Sequence, residues 1–237
     1  MSVQLLEVFG SDLTVVNAAR VSFAKEVTVM EEKDIKLLTY LAKHNHISPF
    51  FHPQIRFRLK MPIFVAREWY RHQIGLSRNE VSRRYVDSAV ECWIPAPADL
   101  RVRDPKLKQG SKNEVVAEGE AIHAQIKAAT ESAIATYESL LASGVAPEIA
   151  RVVLPQSMYT EFIETGSLAA YARICSLRLD PGAQKEIRVF ADLVDQELLK
   201  AFPHSWKALR CKFANAEPIP VKKDIVVVQY PDLNYIT

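Results

Sequence analysis

Glycine is scarce in this chain of 237 residues. Only seven occur, at positions 10, 75, 110, 119, 144, 166 and 182, and no two lie close enough for a Gly-x-Gly turn. That spacing excludes a glycine-rich phosphate loop, so any bound nucleotide must have its phosphates held by side chains and helix amino termini. Cysteine is sparse as well: Cys92, Cys175 and Cys211 are odd in number, far apart and never in a Cys-x-x-Cys pattern. Neither a disulfide framework nor a zinc knuckle is indicated, and a reducing cytoplasm fits best. No apolar run approaches the ~18 residues of a membrane helix. Met1 to Phe9 also lacks the charged-then-apolar layout of a signal peptide, so the protein is expected to be soluble. An excess of one charge is missing too. Lys+Arg number 30 against 28 for Asp+Glu, and a net +2 leaves little field to steer the molecule toward a polyanion.

Basicity is instead local. From Arg67 to Tyr85 the chain places five arginines (67, 71, 78, 83 and 84), His72, two glutamates (Glu68 and Glu80) and three aromatics in one segment. Arginine cannot lose its charge and offers a planar fork of donors matched to phosphate or carboxylate. A fold that gathers these forks makes a site for a small anion, and the enclosed carboxylates add a grip on hydroxyls. Three rival readings use nearby residues. A nucleic-acid-binding module could put the same arginines on backbone phosphates, which the net charge disfavours. A metal site on His44, His46 and His52 meets Pro49 in its midst and has no carboxylate within it. A serine hydrolase on Ser82 lacks the Gly-x-Ser-x-Gly elbow.

Periodicity predicts an α+β fold, helices packed on a small, mostly antiparallel sheet. Gln4 to Phe9 reads as a strand, Asp12 as the N-cap of a helix toward Val21 with Ser22 in the loop beyond, and Glu32 to His44 as an amphipathic helix. Gln54 to Met61 alternates as a half-exposed strand. Pro62 then opens a helix through Gln73, followed by a loop over Ser77 to Tyr85. On that helix Arg67 and Arg71 would share one face, and Glu68 and His72 the next. Ala96 to Lys112 reads as a surface loop, Asn113 to Ser143 as a long helix, and Glu148 to Leu154 as a short one. Gln156 to Glu164 alternates weakly as a strand. Ser167 caps a helix to Leu179, and Ala183 to Phe202 forms another. Residues 1–237 are expected to form one domain, with 218–237 as a possible extension that adds a strand near Ile225 to Val228 or reaches a neighbouring subunit.

From Arg71 to Tyr85 the sequence resembles the signature of the flavin-dependent thymidylate synthases, Arg-His-Arg, seven residues, then Ser. Here it runs Arg71-His72-Gln73 to Ser82, with Asn79-Glu80, Arg84 and Tyr85 in register with the end of the motif. Further blocks are similar in the same order: Ala19 to Ser22, His46 to Phe50, Pro62 to Arg67, Ala150-Arg151 through Pro155, and Leu177-Arg178 with Ala183-Gln184. The resemblance implies a homotetramer that binds FAD, takes a methylene group from methylenetetrahydrofolate and delivers it to carbon 5 of dUMP. Reduced flavin supplies the hydride, NADPH is the expected reductant, and no cysteine nucleophile takes part.

Carried over position by position, the resemblance implies that the flavin meets Ser22, His46, Ser48, Arg71, His72, Gln73, Asn79, Glu80, Ser167, Ala169 and Arg173. The nucleotide meets Glu68, Arg71, Glu80, Ser82, Arg83, Arg84, Arg151 and Arg178, with Arg151 on its phosphate. Arg178 and Ser82 are the expected catalytic residues. A cation at Arg178, beside the ring carbonyl and adjacent nitrogen, would stabilise the anionic pyrimidine that makes carbon 5 nucleophilic. The chain departs from the family pattern in a motif loop one residue longer, Gln73 for arginine, Glu68 for glutamine and Gly182 for histidine. Glu68 would repel an acceptor that glutamine's amide could donate to, which leaves room for another pyrimidine nucleotide such as UMP, or for a hydroxymethylated product.

Overall fold

Short apolar runs punctuated by capping residues build the first elements. The computed structural model describes residues 1–86, 89–106 and 110–211, with the backbone of 226–227. Strand β1 (Ser2–Phe9) leads into α1 (Asp12–Arg20), whose N-cap is Ser11, one residue before the predicted Asp12. Asp12 instead tethers a distant segment. Its buried carboxylate accepts from the backbone N–H groups of His204 (3.1 Å) and Ser205 (2.8 Å), far along the chain. Helix α2 (Glu32–Lys43) and strand β2 (Gln54–Pro62) match their patterns, and Ile55, Phe57, Leu59 and Met61 of β2 are fully buried.

The arginine segment departs from expectation. Pro62 ends the strand, α3 (Ile63–Trp69) stops four residues early, and Leu76–Glu80 is strand β3 where a loop was predicted. Ser-Arg-Asn-Glu has little intrinsic strand preference, and partner pairing supplies what propensity lacks. The partner is β6 (Tyr159–Ser167), reached after β4 (Arg101–Arg103), β5 (Ser111–Val115), α4 (Gly119–Ala142) and α5 (Pro147–Ala150). Strands β4 and β5 pair antiparallel inside the predicted surface loop and its following helix, so the helix begins at Gly119 and not Asn113. A side chain at Gly119 would press the Pro97 carbonyl at 3.1 Å, which accounts for glycine at that helix start.

The remaining helices are α6 (Leu168–Arg178), α7 (Lys185–Ala201) and α8 (Ser205–Arg210). Ser167 caps α6 as predicted, its Oγ accepting from Ala170 N–H at 3.2 Å. Val226–Val227 (β7) pairs parallel with β1, while the rest of the predicted tail strand lies outside the described residues. The main sheet has the order β3-β6-β2-β1-β7. Bonds from Ser167 N–H to Gly75 O and from Val81 N–H to Glu161 O bracket β3 and β6 and make them antiparallel. Leu168 N–H to Pro53 O and Ile63 N–H to Met158 O do the same for β2 and β6.

The chain divides into two compact units. Met1–Leu59, Glu68–Asn79 and the described residues from Phe162 onward form the larger, and Lys60–Arg67 with Glu80–Glu161 form the smaller. In the larger, Phe57 meets Tyr171 edge-on at 5.3 Å, and Leu38, Ile174, Phe190, Leu198 and Trp206 are fully buried. Tyr137, Ala150 and Met158 are buried in the smaller.

Candidate active site

In the larger unit the triplet Arg71-His72-Gln73 sits in a turn and not on a helix face. Two i to i+3 bonds, Arg71 N–H to Glu68 O (3.3 Å) and His72 N–H to Trp69 O (3.1 Å), tighten the chain after α3. Gly75, at φ +77, then reverses it into β3, a conformation glycine adopts without strain. The predicted pairing of Arg67 with Arg71 along one helix therefore does not form. The turn instead exposes Arg71 and Gln73 and buries the His72 ring. Among the described residues, neither Arg71 nor Gln73 has a side-chain partner.

The buried ring meets Arg178 from the last turn of α6. Arg178 Nε donates to His72 Nε2 at 2.9 Å, Nη2 donates to the Glu68 carbonyl at 3.2 Å, and Nη1 lies 3.4 Å from the Glu68 carboxylate. A ring nitrogen that accepts this bond carries no proton, so His72 is neutral, with its proton on Nδ1. Burial, followed by the Arg178, Arg78 and Arg173 charges, lowers its pKa from 6.5 to about 4. Three contacts thus fix the direction of the Arg178 guanidinium.

Under this turn lies a charged group that the sequence pattern did not single out. Glu164 is fully buried, accepts from Trp69 Nε1 at 3.1 and 3.2 Å, and pairs with Arg78. Its pKa is raised by burial, against the pull of Arg78, Trp69 and Tyr171. The available signal was register: Thr160, Phe162, Glu164 and Gly166 share the inward face of β6, and a carboxylate there must find donors. Beside it, a Cβ on Gly75 would meet Ala170 Cβ at 3.3 Å, Ser167 Oγ at 3.5 Å and Phe51 at 3.9 Å, while Arg173 donates to Ile74 O. Phe51 at the end of the segment Ser48–Phe51, the turn at Gly75 and the start of α6 therefore meet, which brings Ser167 and Arg173 to residues 74–75, with Ser48 and Ala169 on the same two elements. The Ser167 hydroxyl is committed to capping α6.

The smaller unit holds a cavity of about 560 Å³ whose lining includes Glu80, Ser82, Arg83, Arg151, Tyr159 and Thr160. The end of the signature and Arg151, separated by some 70 positions in the chain, share this one space. Thr160, also not singled out by the sequence pattern, donates its hydroxyl to Glu80 Oε1 at 2.5 Å and so orients that carboxylate. Arg83 Nη2 reaches Ala89 O at 3.3 Å and Arg151 Nε reaches Glu148 O at 3.3 Å. Arg84 bonds the Ser82 hydroxyl at 3.4 Å and lies over the Tyr85 ring. Asn79 lies beside Glu80 near the end of β3. Ser22 lies in an exposed turn (Val21–Phe23), and His46 packs edge-on to Tyr40 at 6.0 Å. These contacts bring neither of them to the other predicted flavin residues. No group of three or more His, Cys, Asp or Glu among the described residues could hold a metal ion.

An oriented guanidinium beside a neutral imidazole in the larger unit, and in the smaller a cavity edged by two arginines and by the carboxylates Glu80 and Glu148, are the parts of an α+β enzyme that handles a small polar substrate with an anionic group. Residues 4–204 match the family model described as thymidylate synthase complementing protein. The chain is 38% identical over 206 residues to the flavin-dependent thymidylate synthase of Thermotoga neapolitana, covering 87% of this chain and 89% of that one. The enzyme of the same name from Thermus thermophilus is also 38% identical, over 87% of this chain and 74% of its own. Among solved structures, the UMP/dUMP methylase PolB from Streptomyces cacaoi bound with 5-Br dUMP superposes with a TM-score of 0.79 at 32% identity, covering 88% of this chain and 94% of that one. Its complex with 5-Br UMP gives 0.79 at 30%, covering 91% and 96%. The chain belongs to the flavin-dependent thymidylate synthase family.

Proposed function

We propose that the protein makes dTMP from dUMP, transferring the methylene group of methylenetetrahydrofolate to carbon 5 and reducing it to methyl, with FAD as the flavin and NADPH as reductant. The family match over residues 4–204 supports reading both units as one catalytic domain. The carrying observation is the triple hold on Arg178. A guanidinium fixed in direction is a preorganised cation, and preorganised charge stabilises an anionic pyrimidine without covalent attack. His72 remains neutral and so adds no second charge that would turn Arg178 aside. In the cavity, Arg151, Arg83 and the Ser82 hydroxyl suit a phosphate, with Arg84 bonded to Ser82, and the Glu80 carboxylate suits a hydroxyl or ring N–H donor.

The residues present fit a flavin. Arg71 and Gln73 offer unpartnered donors, and the bare α-carbon of Gly75 gives close access beside Ser167 and Ala170, with Arg173 on the Ile74 carbonyl; Ser48 and Ala169 are assigned to this surface on the family resemblance. When bound, the flavin supplies the hydride that completes the methyl group. We assign Ser22, His46, His72, Asn79 and Glu80 to the same binding surface on the family resemblance, and a homotetramer on the same basis.

The second reading is the same chemistry on UMP. It is favoured by the acidic Glu68 beside Arg178 and by the likeness to a UMP/dUMP methylase solved with 5-Br dUMP and with 5-Br UMP. Protein supplied with FAD, NADPH, methylenetetrahydrofolate and either nucleotide should convert dUMP faster, with dTMP identified by chromatography. Faster turnover of UMP would establish the second reading instead. Steeply salt-dependent binding of DNA or RNA by a protein that turns over neither nucleotide would overturn both.

A further inference from the structure

The buried carboxylate of Glu164 is far more elaborately served than core packing requires. A buried ion pair seldom stabilises a fold relative to apolar residues of the same volume, so its retention asks what geometry it secures. All the groups concerned belong to the larger unit. Glu164 accepts from both Trp69, the last residue of α3, and Arg78 in β3. The same Arg78 guanidinium turns its Nη2 to the carbonyl of His72 at 2.5 Å, and its Cζ lies 5.3 Å from the centre of the Tyr70 ring. Glu164 therefore holds both flanks of the turn that carries the triplet. His72, in the middle of that turn, presents Nε2 to Arg178 Nε.

We propose that Glu164 is a positioning residue for the reaction, acting through Arg78 and the His72 backbone to fix the imidazole that aims the Arg178 guanidinium. This rests on the dUMP-methylating reading of Arg178. The linkage is geometric and local. Removing the charge on Glu164 releases Arg78, which frees the His72 carbonyl and lets the turn relax. The ring then rotates away from Arg178, and a misplacement on the order of 1 Å at the reacting charge costs roughly 100-fold. Arg78 is suited to this role because one planar fork spans two acceptors, whereas a lysine ammonium at the same place serves a single point.

The test reads the imidazole directly. In 15N-histidine-labelled holoenzyme, wild-type His72 should populate one neutral tautomer, protonated on Nδ1. Glu164→Gln, which keeps an acceptor for Trp69, should mix the two tautomers and lower kcat roughly 10- to 100-fold, with KM for dUMP held within about twofold. Arg78→Lys should do the same. Phe190→Leu, in the same core but with a side chain that can bond none of these groups, should lower Tm without changing the tautomer. A folded Glu164→Gln protein with an unchanged tautomer and kcat would overturn the proposal. So would a mixed tautomer in Phe190→Leu, since core loosening would then suffice. If Glu164→Gln does not fold, Arg78→Lys decides by the same criteria. The tautomer is read without turnover, so a wild type that makes no dTMP sinks the functional reading and leaves this test intact.

Discussion

His72 illustrates at the scale of one residue how position changes chemistry. Its place in the signature was legible, but nothing local announces that the ring is buried against Arg178 and therefore neutral. The folded-state pKa of about 4 lies below the ordinary 6.5, so between these values the unfolded chain binds a proton that the folded one refuses. The contribution to stability is fully present above pH 6.5 and is lost as pH falls toward 4, to the extent of about 3 kcal/mol. Urea unfolding of wild type and His72→Gln at pH 7.5 and 5 should show a steeper loss for wild type. Equal slopes would mean that the imidazole is protonated in the fold. Glu164 and Thr160 were legible only as members of an inward-facing strand register, and the partners they meet lie 80 or more positions away.

Among the elements, the signature segment is where local reading failed most clearly. Helical spacing of Arg67 with Arg71 and of Glu68 with His72 suggested one helix, but α3 ends at Trp69 and the polar run beyond Gly75 becomes an edge strand. The cause is tertiary: β6 offers a free ladder, and Gly166 permits close approach. A Cβ at Gly166 would stand 2.3 Å from Leu76 Cδ2, 3.1 Å from Tyr171 and 3.2 Å from the Gly75 carbonyl. Gly166→Ala should accordingly cost roughly 1–3 kcal/mol in urea unfolding, because β3 must shift away from β6. A variant as stable as wild type would show that this contact yields freely. By contrast α2, β2, the Ser167 cap and α7 followed their sequence patterns closely, since each carries its own period or its own capping group.

For the molecule as a whole, near-neutral charge leaves specificity to local clusters, while Phe23, Ile74 and Val152 stand 74%, 72% and 79% exposed. Side chains of that kind call for cover, consistent with the proposed homotetramer. Light scattering of purified protein should give a mass close to four times the 26.8 kDa of the chain, and denaturation should release FAD. A monomeric mass would refute the assembly. Residue order alone was sufficient for the α+β class, the family and the list of cations, because periodicity, caps and a dense motif are properties of neighbours along the chain. Which carboxylate neutralises which arginine, where the triplet leaves its helix, and that Arg151 shares a cavity with Ser82 were settled by packing. Those facts depend on side chains scores of positions apart meeting in space, and no local pattern encodes that meeting.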